Sequence, residues 1–371
     1  MRSRWVILFL LFLAFSFSST AHAQQWSVEQ ANEWYAKQAW PLGSNFIPST
    51  AVNELEMWQA DTFDLPTIDR ELGWAQGLGM NSMRVFLHNI PWQEDSQGFL
   101  HRIDQFLDVA DKHHIRITFV LLDSVWDPNP KPGKQPDPIP HVHNSRWVQA
   151  PGATILKDPA SWNKLLKPYI MGVIGHLAND HRVLMWDLMN EPDNDNSKKN
   201  GEVPNKAEVA LKLLKLEWQW ARAARPTQPL TSGVWQGDWT SDATLSDMAR
   251  FQLHNSDVIT FHDYDPPQEM QKRIDMLRRF KRPLICTEYM ARPRGSTFQS
   301  ILPLLKKEHV GAYNWGFVSG KSQTIYPWDS WTKKYTAEPP LWFHDIFRKD
   351  GTPYNVKETD LIKALAPRRS S

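Results

Sequence analysis

The stretch VLMWDLMNEP, residues 183 to 192, is an apolar run with β-branched and aromatic members that stops abruptly on Asn190, Glu191 and Pro192. Such a run reads as a buried strand. Proline cannot extend a strand ladder, so Glu191 is the last residue the strand can aim. A carboxylic acid at the end of a core strand is costly unless it does chemistry. The plainer alternative is a strand end whose polar residues cap the next segment.

Seven other stretches resemble it. SNFIP from Ser44, SMRVFL from Ser82 and IRITFVLL from Ile115 precede it. PLTSGVW from Pro229, DVITFH from Asp257, PLICTEY from Pro283 and GAYNWGF from Gly311 follow. Between them lie segments such as FLHRIDQFLDVADKHH and AEVALKLLKLEWQWARAA, whose apolar residues recur at three and four positions. Eight strands that alternate with helices and are nearly continuous in apolar residues predict a parallel sheet covered by helices. A closed (β/α)8 barrel is the simplest solution, in one domain over residues 24–371. A doubly wound open sheet is the alternative, but no glycine-rich phosphate turn follows the first strand.

The connection after the third strand, DSVWDPNPKPGKQPDPIPHVHNSRWVQAPG from Asp123 to Gly152, is long and proline-rich. Proline at this density blocks regular structure, which would suit a linker. Tryptophan, histidine and asparagine are interspersed, and structureless loops this long inside a compact domain are usually functional. Leaving the C-terminal end of a barrel strand, it is expected to wall the site, with Asp123, Trp126, His143, Asn144 and Trp147 facing a ligand.

Composition narrows the partners. Lysine plus arginine total 42 against 41 acids, which suggests neither a nucleic acid nor a charged membrane surface. Nineteen tryptophans exceed what core packing needs, and rings that stack on the apolar faces of sugars are one use for them. No protein partner or cofactor is implied. Residues 1–23 read as a signal peptide. Met1 to Arg4 are basic, WVILFLLFLAFSF from Trp5 is apolar, and AHA at Ala21 to Ala23 has the form of a cleavage site. The run is short for a bilayer span, so export to a periplasm or beyond, without a remaining membrane anchor, is expected. Cys286 is the only cysteine, so no intramolecular disulfide forms.

In a barrel the strand ends make the site. They offer Arg84, His88 and Asn89 after the second strand and Asp123 after the third. Asn190 and Glu191 follow the fourth, Trp235 the fifth, His262 and Tyr264 the sixth, Glu288 the seventh and Trp315 the eighth. Each alone has a structural explanation; their joint arrival at strand ends favours a site. Glu191 and Glu288 fall on strands four and seven, across the mouth from one another. Two opposed carboxyl groups are what glycoside cleavage needs. Arg84 is expected to keep Glu288 ionised, and an apolar setting to keep Glu191 protonated.

On these residues the chain resembles glycoside hydrolase clan A, closest to the family 5 type. MNEP, FHDY, TEY and NW match the clan's motifs on strands four, six, seven and eight, and the arginine of MRVF matches one on strand two. The resemblance spans about residues 43 to 355, including DGTPY from Asp350. It implies a retaining double displacement on β-glycosides, with Glu191 as acid and then base and Glu288 as nucleophile. Asn190 would bind the sugar 2-hydroxyl, His262 and Tyr264 would orient the carboxylates, and Trp315 would stack beneath the sugar. Family 5 members usually carry a histidine at the end of strand three, where this chain has Asp123 or Ser124.

Two rival classes stand beside this one. His141 and His143 form a His-x-His like that of metal-dependent barrel hydrolases, with His113, His114 and His262 as further candidate ligands. That motif should close the first strand, whereas here it sits in the proline-rich loop. A non-catalytic sugar-binding barrel would use the tryptophans but has no need of both glutamates.

Overall fold

The computed structural model describes residues 25–195 and 201–367. The expected signal peptide, residues 1–23, lies outside the described residues. Eight strands form one parallel sheet: β1 (Leu42–Asn45), β2 (Ser82–Phe86), β3 (Arg116–Asp123), β4 (Val183–Asn190), β5 (Leu230–Thr231), β6 (Ile259–His262), β7 (Leu284–Tyr289) and β8 (Gly311–Asn314). Their spatial order, β5-β4-β3-β2-β1-β8-β7-β6, is that of a barrel cut open between β5 and β6. A parallel bridge between Val234 and Phe261 closes that gap, with the Val234 amide donating to Thr260 and the His262 amide donating to Val234. The fold is the (β/α)8 barrel.

Each of the eight expected runs holds a strand, with two differences in extent. The first strand starts at Leu42, before the expected SNFIP, so Asn45 is its last residue rather than an early one. The fifth is two residues long. Asp257 does the work of further ladder bonds there: its carboxylate accepts from the Leu230 amide and from both terminal nitrogens of Arg222.

A helix follows every strand, including Asp247–Asn255 after β5 and Val356–Leu365 after β8. Their starts are set by side chains that satisfy free helix amides: Asp64 accepts from Thr67, Asp95 from Gly98, and Thr297 pairs reciprocally with Ser300 in a capping box. The main core lies between strands and helices and includes Phe106, Phe119, Trp186 and Leu214. A smaller cluster of Met185, Val258, Ile285 and Tyr313 is plugged by Trp34 and Tyr35 of the N-terminal helix Val28–Ala36. Among the described residues no helix is long and apolar enough to cross a membrane.

Candidate active site

Above that apolar filling the barrel interior turns polar. Arg84 of β2 is fully buried, and its guanidinium joins four strands. It donates twice to Asp187 of β4 (3.0 and 2.8 Å), and once each to Asn45 of β1 (2.8 Å), Asn190 of β4 (2.8 Å) and Glu288 of β7 (3.0 Å). All five donors are used, so a charge that could not stay buried alone is fully satisfied. Arg84 does not line the cavity above it. The expectation that it faces a ligand is corrected: it lies in the floor and fixes Asn190 and Glu288, which line the cavity.

Glu288 and Glu191 occupy opposite strand ends, as expected, and face each other. One Glu288 oxygen accepts from Arg84; the other accepts from the Tyr264 hydroxyl at 2.7 Å. Glu191 meets His262 Nδ1 at 2.8 Å and accepts from the Asn194 amide at 2.6 Å. One ligand atom each from Glu191, His262 and Glu288 lie within 4.8 Å of one another. The partners differ in charge. Glu288 has a guanidinium, whereas Glu191 has only neutral donors. Burial lifts both carboxyls above the usual range, Glu191 to about 7. For Glu288, the neighbouring His262, the Arg84 guanidinium and the Tyr264 hydroxyl offset part of that burial, while the facing Glu191 adds to it. A proton held by the pair therefore belongs on Glu191. His262, pushed down to about 4 by burial, is neutral, so its contact with Glu191 carries one proton that either partner can hold.

The backbone is held in unusual conformations here. Glu191 has φ 42°, Trp126 φ 70°, Asn144 φ 43° and Met290 φ 80°. Left-handed values are uncommon for such residues and cost on the order of 1–3 kcal/mol each, a cost that concentrates at functional sites. At Glu191 the following proline disfavours the helical region, and the turn swings the carboxyl over the mouth instead of continuing the strand.

The two glutamates share a cavity of about 370 Å³ with Asn190, Trp235, His262, Tyr264 and Trp315 from the strand ends. Asp123, Trp126, His143, Asn144 and Trp147 of the proline-rich loop line it as well. Asp123, not Ser124, lines the cavity at the end of β3. Its carboxylate accepts from Trp147 Nε1 (2.7 Å), Asn190 Nδ2 (2.9 Å) and the Val125 amide (3.1 Å), and burial raises it to about 6. Asn190 is thus clamped, its oxygen on Arg84 and its nitrogen on Asp123. The loop leaves and returns through one pair of residues, since Asp123 and Ala150 exchange backbone hydrogen bonds.

His88 and Asn89 are corrected. Both are wholly buried and outside the cavity. His88 accepts from the Ile90 amide through Nδ1, capping the helix Asn89–Glu94, and its Nε2 meets the Gln149 carbonyl at 3.0 Å. The chain turns into a helix two residues after the strand, between Phe86 and Asn89, which carries both side chains away from the mouth.

The His-x-His pair has a different use. His141 Nδ1 meets the Tyr335 carbonyl and His143 Nδ1 the Tyr326 carbonyl, both in the loop after β8. His113 contacts Asp69 and Gln76 in the outer helices. Among the described residues the grouped metal donors are Glu191, His262 and Glu288 alone. Their oxygens already serve Arg84, Tyr264 and Asn194, and a guanidinium 3.0 Å from one donor disfavours a cation there. The metal-centre reading does not fit these residues.

Several lining residues escape a strand-end reading: Asn194, Asp263, Asp265, Arg273, Arg294 and Trp328. Asp263 lies inside the quoted FHDY and Asn194 two residues past MNEP, so both were within reach of it. Trp328 lies in a long loop after β8, where no periodicity marks a role; its ring meets Tyr264 edge-on at 5.1 Å.

Fold and site together define a (β/α)8 barrel with two facing glutamates in an aromatic-walled cavity, and solved barrels of the glycoside hydrolase type are its structural neighbours. A GH5_18 protein of Streptomyces cattleya, solved in complex with Manb1-4GlcNAc, is 13% identical with a TM-score of 0.59 over 88% of this chain and 82% of that one. An exo-beta-1,4-mannosidase of an Opitutaceae bacterium is 18% identical with a TM-score of 0.59, covering 88% of this chain and 59% of that longer one. The beta-mannanase of the blue mussel Mytilus edulis is 15% identical with a TM-score of 0.56, covering 90% and 93%. At such identities the likeness is one of fold. No protein-family model matches this sequence, and no curated protein matches it.

Proposed function

We propose that the protein is a retaining glycoside hydrolase acting on β-linked glycans or oligosaccharides. The observation that carries this is the pair of facing carboxyls, with an oxygen of each within 4.8 Å and with unlike partners. Retaining enzymes hold their carboxyl groups about 5–5.5 Å apart, whereas inverting ones leave about 6.5–9.5 Å for a water between them. Glu288, beside Arg84, is the group suited to attack the anomeric carbon. Glu191, lifted to about 7, is suited to protonate the leaving oxygen and then to deprotonate the incoming water. Asn190, clamped by Arg84 and Asp123, keeps one amide hydrogen for the sugar 2-hydroxyl. Trp315 offers a flat face beneath the ring. Export with cleavage after Ala23 belongs to the same proposal and rests on the N-terminal pattern; sequencing the N-terminus of secreted protein should begin at Gln24.

The direct test is a mechanism-based fluoro-sugar, which should leave a label on Glu288, read by peptide mass spectrometry. A label on another residue, with Glu288 unmodified, would overturn the assignment. Exhaustive chelation should leave turnover intact. Loss on chelation with recovery on adding zinc would restore a metal-dependent reading.

A further inference from the structure

The cavity has two unlike ends. Where the β3 loop forms the wall, His143, Asn144 and Trp147 are only 1–3% exposed. On the opposite side, beyond β6 and β7, the side chains of Arg294 and Asp265 are 48% and 39% exposed. The buried end is shut by a seam between the loops that follow β3 and β8. The Asn144 amide donates to the Ser322 carbonyl at 2.8 Å, and the His143 amide to Ser330 Oγ at 3.0 Å. Gln323 accepts from the His141 amide and donates to the carbonyls of Ile139 and Val142. Trp126 stacks on Trp331 with centroids 5.1 Å apart. Directly behind Trp147 and Trp315 lies a hole of about 20 Å³, room for a single water.

The carboxyls define which part of a glycan enters which end. Glu191 is held by Asn194 and His262 and shares the cavity with Trp235. Asn190, proposed to meet the 2-hydroxyl of the attacked sugar, donates to Asp123, and Trp315, proposed to lie beneath that sugar, meets Trp147 with centroids 5.5 Å apart, so both adjoin the closed end. The sugar that is attacked therefore fills the closed end, and the leaving group points to the open side.

Resting on the proposed glycosidase reading, we infer that the protein is exo-acting: it takes the non-reducing terminal residue of a β-linked oligosaccharide and releases one monosaccharide per turnover. The bond from C1 to the glycosidic oxygen breaks as C1 bonds to a Glu288 oxygen, and the Glu191 proton goes to the leaving oxygen. Water then forms the new C1–O bond, Glu288 departs, and the water's proton returns to Glu191. A cavity of about 370 Å³, toward the small end of ligand pockets, suits a terminal unit better than a chain passing through.

The test uses the full-length protein with β-1,4-linked gluco- and manno-oligosaccharides of three to six units, labelled at the reducing end. Monosaccharide should be the first product, with the label moving down one unit at a time. A matched pair of chromogenic substrates gives a second measurement. An aryl monoside should release its aryl group linearly, and the aryl bioside only after a lag, once its terminal sugar is gone. Immediate aryl release from the bioside, or early products of two or more units, would overturn exo action while leaving the glycosidase reading intact. No cleavage of any of these substrates, monosides included, would overturn both.

Discussion

Two pairs of buried acids in this barrel have opposite surroundings. Glu191 and Glu288 sit at the mouth, and every one of their oxygens meets a partner. Glu54 and Glu217, in the helices Glu54–Trp58 and Lys206–Ala223, are just as buried, yet none of their four oxygens has a hydrogen-bond partner. Burial raises all four carboxyls. Elevation alone therefore does not mark a catalytic group. What separates the mouth pair is access to a cavity and an unequal set of partners, which makes one acid the better proton donor and the other the better anion.

The contrast breaks most sharply by neutralising each acid of the mouth pair in turn. Glu288→Gln should lower kcat/KM by about 10⁴-fold or more with thermal stability retained, because shape is kept and the proposed nucleophile is lost. Glu191→Gln should cost about 10²–10⁴-fold on substrates with poor leaving groups, and far less on activated aryl glycosides whose departure needs little protonation. Equal losses on both substrate types would remove Glu191 from the acid role.

A pH profile sharpens the same comparison. In its proposed role as the acid Glu191 must be protonated, and burial raises its carboxyl to about 7. Activity should therefore fall as pH rises through about 7 and persist below it until Glu288 takes up a proton. In Glu191→Gln that alkaline limb should vanish while the acid limb remains. A limb that stays in place would belong to another group.

Much of this was legible in the sequence because strand ends are marked by a change of composition. MNEP, TEY and FHDY each break an apolar run, and the groups they carry meet at one point in space. The same rule misplaced His88 and Asn89, since nothing in RVFLHN shows that the chain turns helical two residues past the strand. It also missed Trp328, because a loop without periodicity leaves a tryptophan's direction to tertiary contacts with Tyr264 and Phe343. The His-x-His of the proline-rich loop carries a residue pattern compatible with metal binding, but the carbonyls that occupy it come from nearly two hundred residues away.

Asp123 joins the mouth to the wall. Its carboxylate orients both Asn190 and Trp147. Asp123→Ala should lower kcat by about 10²-fold through misplacement of Asn190, whereas Trp126→Ala, which removes a stacking face, should act mainly on KM. Asp123→Asn tests whether charge or shape matters. An amide can accept from only one of the two donors while presenting its own N–H to the other, so recovery should be partial. Full recovery would show that Asp123 only fills space.

The smallest effect falls on the silent pair. Glu217 has a folded-state pKa well above its ordinary value, so the folded chain holds a proton that the unfolded chain releases. Stability from this group is complete at pH values below the ordinary carboxylate range and declines as pH rises through it. Glu217→Met replaces an unpartnered buried acid with an apolar chain of similar length. It should leave kcat/KM unchanged and raise Tm by about 2 °C at pH 8, with little change at pH 4. Scanning calorimetry at the two pH values reads the difference directly. A loss of stability at pH 8 would mean that Glu217 is partnered after all, and that the contrast between the two pairs is one of access alone.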